Sequence, residues 1–183
     1  KGGRMKSARL IFDSTEKSPD LYYATKFFAP DPCWYFETGG KKYLVMSDLE
    51  IDRAKRQSSV DRVLSMSAYQ EKAKKDGSEI GAMDVILSER KIKKLIVPEN
   101  FPYGVAQQFL KRGYKIEALG NPFYEGRFIK TPEEIRNIEA TQKVVFASMR
   151  VAEEAIRASR IKGRKLYLKG APLTSERLRR MID

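Results

Sequence analysis

Short apolar runs separated by turn residues fill the first two thirds of the chain, and a long helical period follows them. "ARLIFD" (8–13) predicts a strand, and Pro19 and Asp20 turn the chain into the apolar-aromatic stretch that ends at Phe28. "CWYFETGGKKYLVMS" (33–47) predicts a β-hairpin, because Gly39 and Gly40 permit the positive φ angles of a two-residue turn between aromatic and β-branched runs. Ser47-Asp48-Leu49-Glu50 matches a capping box and predicts a helix through residues 48–57. A strand over 60–66, a short helix over 69–75 stopped by Gly77, and a helix over 81–90 follow. "KKLIVP" (93–98) predicts a buried strand, 103–113 a helix with a glycine stop, and 114–120 another strand. A strand, a hairpin and then alternating helices and strands argue for an α/β fold with a mixed sheet.

"NPFYEGRFIK" (121–130) breaks that rhythm. Beyond it Thr131 caps a helix, Pro132 takes the first helical position, and Glu134 completes the capping box. Glu133 and Glu134 sit at the positive end of the helix dipole. Ile135, Ile138, Val145, Met149, Ala152 and Ile156 make one apolar stripe interrupted by Gln142, so one face of a long helix needs a partner. Left uncovered, that face predicts self-association. A last helix, capped by Thr174, runs to the final residue.

Composition narrows the function. With 42% hydrophobic residues and nine each of Phe and Tyr, the 183 residues can fill a core. No apolar run approaches the length of a membrane span, and the N-terminus lacks the apolar stretch of a secretory signal. "KGGR" ahead of Met5 reads as the remnant of an expression tag. A single cysteine, Cys33, excludes an internal disulfide and a multi-cysteine zinc site, and a cytoplasmic location is expected. The net charge of +12 invites a nucleic-acid reading. Its spread argues against one: 23 basic and 17 acidic residues over 1–129, 13 and 7 over 130–183, hence +6 from each part.

Catalytic motifs are missing. The chain contains no histidine, which removes Ser-His-Asp and Cys-His chemistry and the commonest metal ligand. Neither phosphate-cradling glycine motif occurs. Cys33, beside Trp34 in a strand, reads as a structural thiol. Asp13, Glu37 and Asp48 are the acids nearest strand ends that could hold Mg²⁺, but Asp48 reads as part of a cap and Glu37 as the entry to a turn.

Two strings carry a family resemblance. "DLYYATKFFAPDPCWYFETGGKKYLVMSD" (20–48) resembles the opening of the pita-bread metallopeptidases, the Xaa-Pro aminopeptidases, prolidases and creatinase. Tyr23 and Phe27 hold the family's aromatic places, while Ala24 and Lys26 stand where Leu and Gly are usual. "RFIKTPEEIRNIEATQK" (127–143) resembles the linker into the catalytic domain, with Lys130, Thr131 and Glu134 as its signature. "RKLYLKGAP" (164–172) departs from the short Pro-Gly turn usual there and looks like an insertion.

The resemblance implies a creatinase N-terminal-like (ribonuclease H-like) α/β domain over 1–126, then over 127–183 a linker helix and the first helices of an incomplete pita-bread domain. It implies a non-catalytic role in oligomerisation and in covering the active site of an enzyme that cleaves the bond preceding proline. The metal, Mn²⁺, Co²⁺ or Zn²⁺, would be held by the parent by two Asp, one His and two Glu, so this chain is expected to bind no cofactor and to be inactive alone. Homo-oligomer contacts are expected, and proline-containing peptides as substrates of the parent. The loop 27–34 can reach a substrate pocket in relatives, which makes Asp31 and Trp34 the candidate contacts for a substrate's amino end or proline ring. The alternatives are a free-standing protein-binding module of the same fold or, less favoured, a basic nucleic-acid-binding domain.

Overall fold

The computed structural model describes residues 6–74 and 76–183; the "KGGR" stretch lies outside them. It divides into two units, the first ending at Arg127 and the second running from Phe128 to Asp183.

The first unit is built on a six-stranded mixed sheet. Its strands are β1 (Lys6–Asp13), β2 (Cys33–Thr38), β3 (Lys41–Met46), β4 (Arg62–Ser65), β5 (Ile92–Pro98) and β6 (Lys115–Leu119), in the order β4-β3-β2-β1-β5-β6. β2 runs antiparallel to both β1 and β3, and the pairs β3–β4, β1–β5 and β5–β6 are parallel. The β2–β3 turn forms as the glycines require, with φ of 58° at Gly39 and 72° at Gly40.

Helices cover both faces. α1 (Pro19–Thr25) and α2 (Ile51–Gln57) lie on one side; α3 (Met66–Lys72), α4 (Glu79–Glu89) and α5 (Tyr103–Lys111) lie on the other. Successive residues of β2 therefore feed opposite cores. Trp34 and Phe36 pack with Leu10, Met83, Ile86 and Phe109, whereas Cys33 and Tyr35 pack with Ile11, Leu21, Phe27 and Leu44. This explains why "CWYF" is apolar without alternation: a strand buried on both faces has no solvent side.

Two sequence expectations are corrected. Ser47 does not open a capping box. Its carbonyl accepts the amides of Glu50 and Ile51, and α2 begins only at Ile51, with no side chain capping it. The short helix at 69–75 instead spans 66–72, and the chain takes a left-handed turn at Lys74, with φ of 51°, ahead of Gly77, the residue expected to stop the helix.

The second unit holds α6 (Pro132–Arg157), a small antiparallel sheet of β7 (Arg160–Lys162), β8 (Lys165–Leu168) and β9 (Ala171–Pro172), and α7 (Ser175–Ile182). The α6 capping box forms: the Glu134 amide donates to Thr131 Oγ1 at 3.2 Å, and the Thr131 amide donates to Glu134 Oε2 at 2.9 Å. The stretch 164–172 that looked like an insertion supplies two of the three strands. Along α6 only Ala155 is buried, so Ile135, Ile138, Val145, Met149 and Ile156 remain exposed.

Candidate functional site

Asp31 and Trp34 line one cleft of about 240 Å³ in the first unit. The loop before β2 makes its rim. Thr15 fixes that loop, its amide donating to the Ala29 carbonyl at 2.9 Å and its hydroxyl accepting the Ala29 amide at 2.7 Å. Pro30 and Pro32 flank Asp31, and each locks its own φ and restricts the residue before it, so Asp31 sits on a stiff segment. Across the opening, Arg53 pairs with Glu50, donates to the Phe28 carbonyl at 2.9 Å, and lays its guanidinium over the Phe27 ring at 4.3 Å.

The floor is apolar: Trp34, Val45, Met46 and Met66. Trp34 is only 1% exposed, stacks on Phe12 at 4.2 Å between ring centres and meets the edge of Phe109 at 5.9 Å. Its indole N–H donates to Glu79 Oε2 at 3.0 Å, which places a third carboxylate at the cleft. Of the three acids, Glu50 is balanced by Arg53 and Glu79 is held by the indole. Asp31 is exposed and has no partner among the described residues. An apolar floor under an acidic rim fits a ligand with a cationic group on a hydrophobic body.

Cys33 does not present a thiolate to the cleft. Burial, and after it the nearby charge of Asp13, pushes the Cys33 thiol up to about 12, so it keeps its proton at neutral pH. The unfolded thiol ionises near its ordinary value of 9, so the folded chain binds more protons above that pH. The stability this contributes is whole below pH 9 and is lost as pH rises toward 12.

The acids suggested as metal ligands have other work. Glu37 accepts from the Tyr124 hydroxyl at 3.0 Å, in a pocket whose burial holds both Tyr35 and Tyr124 far above the usual phenol range. Asp48 is no part of an α2 cap; it accepts from Ser65 Oγ at 3.0 Å and Ser67 Oγ at 2.8 Å at the start of α3. Asp13 accepts the Ser14 amide at 2.8 Å. Among the described residues no three His, Cys, Asp or Glu side chains gather to hold a metal ion.

Lys130, Thr131 and Glu134 belong to the second unit, where Thr131 and Glu134 cap α6. Sequence reasoning missed Glu79. Its one signal was local, Ser78 capping a helix that starts at Glu79, with the Ser78 hydroxyl accepting the Gly81 amide at 3.0 Å.

No protein-family model and no curated protein sequence matches this chain. Solved structures do. The X-Pro aminopeptidase of Thermotoga maritima MSB8 superimposes with a TM-score of 0.70 at 14% identity, over 97% of this chain and 45% of its own. The Xaa-Pro dipeptidase of Bacillus anthracis gives 0.70 at 12% identity, over 97% of this chain and 43% of its own. The prolidase of Pyrococcus horikoshii OT3 gives 0.60 at 22% identity, over 85% and 40%. The fold is thus that of the amino-terminal part of such peptidases, and the chain spans less than half the length of each.

Proposed function

We propose that this chain is the amino-terminal, non-catalytic part of a cytoplasmic, metal-dependent Xaa-Pro peptidase that cleaves the bond preceding proline. The observation that carries the reading is the fold, shared across 97% of the chain with an X-Pro aminopeptidase more than twice its length. The metal, Mn²⁺, Co²⁺ or Zn²⁺, would then be held by the part of the enzyme beyond these residues, as befits a chain with no histidine. Within that enzyme the first unit helps cover the substrate pocket, and Asp31 meets the substrate's amino group from its stiff, unpaired position on the rim. Trp34 supports this role as the floor beneath it.

The test takes the 183-residue chain and the polypeptide encoded when the reading frame is followed past Asp183. With Mn²⁺, the longer polypeptide is expected to hydrolyse an Xaa-Pro peptide and the short chain not to. In the longer form Asp31→Asn should raise KM several-fold with kcat little changed, and an unaltered KM would remove Asp31 from the pocket. A stop codon directly after Asp183, or hydrolysis by the short chain alone, would overturn the proposal.

Homo-oligomer contacts belong to the same proposal, through the exposed apolar face of α6. Val145 and Met149 lie one turn apart on it. In sedimentation the chain is expected to run heavier than its 21.0 kDa monomer as concentration rises, and Val145→Lys with Met149→Lys to return it to the monomer. A parent chain that stays monomeric throughout would count against α6 as a contact.

A further inference from the structure

Charge that is evenly spread between the two parts of the sequence is not evenly spread in space. Five of the ten residues 160–169 are basic, Arg160, Lys162, Arg164, Lys165 and Lys169, and none is acidic. All five are exposed, and none has an ion-pair partner among the described residues. Four of them sit on the β7–β8 hairpin, whose turn includes Gly163 with φ of 62°, and Lys169 follows directly after β8.

The register sorts them. Lys162 stands directly opposite Lys165, and Arg160 opposite Tyr167. Residues opposite one another, and those two apart along a strand, share a face, so Arg160, Lys162, Lys165 and Tyr167 form one surface. The Lys162 ammonium lies 5.6 Å from the centre of the Tyr167 ring. Beneath, Arg177 pins the sheet to α7 by donating to the carbonyls of Leu168, Ala171 and Pro172 at 3.0 to 3.2 Å.

A like-charge pair directly across a hairpin is destabilising. Among the described residues the chain has one other such opposition, Lys94 facing Lys115 across β5–β6, and there the Glu117 carboxylate pairs with Lys94; across β2–β3, Glu37 faces Lys42. Lys162 and Lys165 have no such acid beside them among the described residues, and an exposed like-charge pair without a counter-charge points to a partner that supplies it. We infer that the Arg160–Lys162–Lys165–Tyr167 face of this hairpin binds single-stranded nucleic acid. The cations take successive phosphates, and Tyr167 offers a ring on which a base stacks. An aromatic set among cations fits a base and phosphate together better than it fits an acidic protein or a lipid headgroup, which would use the cations alone.

The test is fluorescence anisotropy of the whole chain with a labelled oligothymidylate of about 16 nucleotides, at several salt concentrations. Binding should weaken steeply with salt. K162Q/K165Q should weaken it about tenfold and flatten the log–log salt slope by about 1.4, the share of two lost phosphate contacts on a single strand. Y167S should weaken binding several-fold while leaving the slope alone. K41Q/K115Q removes the same charge from the first unit and should have little effect, and unchanged circular dichroism verifies that each variant is folded. Equal loss in the K41Q/K115Q control, no binding at low salt, or binding to phosphatidylserine vesicles but not to the oligonucleotide would each overturn the inference.

Discussion

Trp34→Ala should leave the first unit barely folded. The side chain sits in the middle of β2 at 1% exposure, between Phe12 and Phe109, with its indole N–H bonded to Glu79. Truncating a buried Trp or Phe to Ala costs about 3–5 kcal/mol, because the surroundings close only part of the cavity. The stacked and edge-on ring pairs add to that, and Glu79 loses its donor. Against a total stability of about 5–15 kcal/mol the loss is a large share. The expected result is a melting temperature lower by roughly 10–20 °C, from about 2–4 °C per kcal/mol for a chain of this size. Cys33 supplies a second reading. In the native chain its thiol, pushed up to about 12 by burial, should ignore a thiol reagent at neutral pH, and in the variant it should react. Melting within a few degrees of the parent, with the thiol still silent, would show that Trp34 is not a core anchor. Trp34→Phe keeps a stacking ring and should lose much less. The consequence reaches function: a raised KM in a Trp34→Ala enzyme would report a damaged fold before it reported a lost contact, so Asp31 is the cleaner probe of the cleft.

What was legible in the sequence was local. The β2–β3 hairpin depends on Gly39 and Gly40, two adjacent residues whose freedom at positive φ decides the turn. The start of α6 depends on Thr131, Pro132 and Glu134, all within one turn. The same reasoning failed at Ser47, whose carbonyl takes the Glu50 and Ile51 amides in a turn ahead of α2, and at Asp48 because its partners lie far along the chain. Asp48, which a cap would have kept beside α2, is held by Ser65 and Ser67. The cleft was legible only in part. Asp31 and Trp34 stand out together only because the loop 27–34 resembles one that reaches the substrate pocket in relatives. That Met66 and Glu79 complete the cavity follows from the sheet order, which brings the starts of α3 and α4 beside β3 and β2. No periodicity records that order. The charge of the β7–β8 hairpin was visible as composition, but the opposition of Lys162 to Lys165 appears only with the register.

Asp20→Ala tests a contact of the kind that sequence leaves hidden. Asp20 and Arg127 lie 107 positions apart, and their side chains meet at 2.8 Å. Asp20 also accepts the Tyr124 amide at 3.0 Å, so one nearly buried carboxylate satisfies two donors of the segment that closes the first unit. Two further pins hold that segment. Arg9 donates to the Phe123 carbonyl at 3.1 Å and lies over the Tyr124 ring at 4.9 Å, and the Tyr124 hydroxyl reaches Glu37. Breaking a fully buried ion pair by removing one partner costs about 3–5 kcal/mol. Arg127 keeps about a quarter of its side chain in solvent, which lowers the expectation to about 2–3 kcal/mol. Asp20→Asn should lose less, since its side-chain carbonyl can still accept the Tyr124 amide. The loss should also be local. With Phe123 still buried and Arg9 still in place, the segment should open more often without the sheet unfolding, so tryptic cleavage after Arg127 should accelerate more than cleavage within the sheet. Mass spectrometry of timed digests reads that difference directly. Uniform acceleration at every site would mean that Asp20 supports the whole unit, and no acceleration at Arg127 would mean that Arg9 and Tyr124 hold the segment without it. A double-mutant cycle with Arg127→Leu then separates the charge pair from the Tyr124 amide bond, because only the pair's share vanishes when Arg127 is already gone.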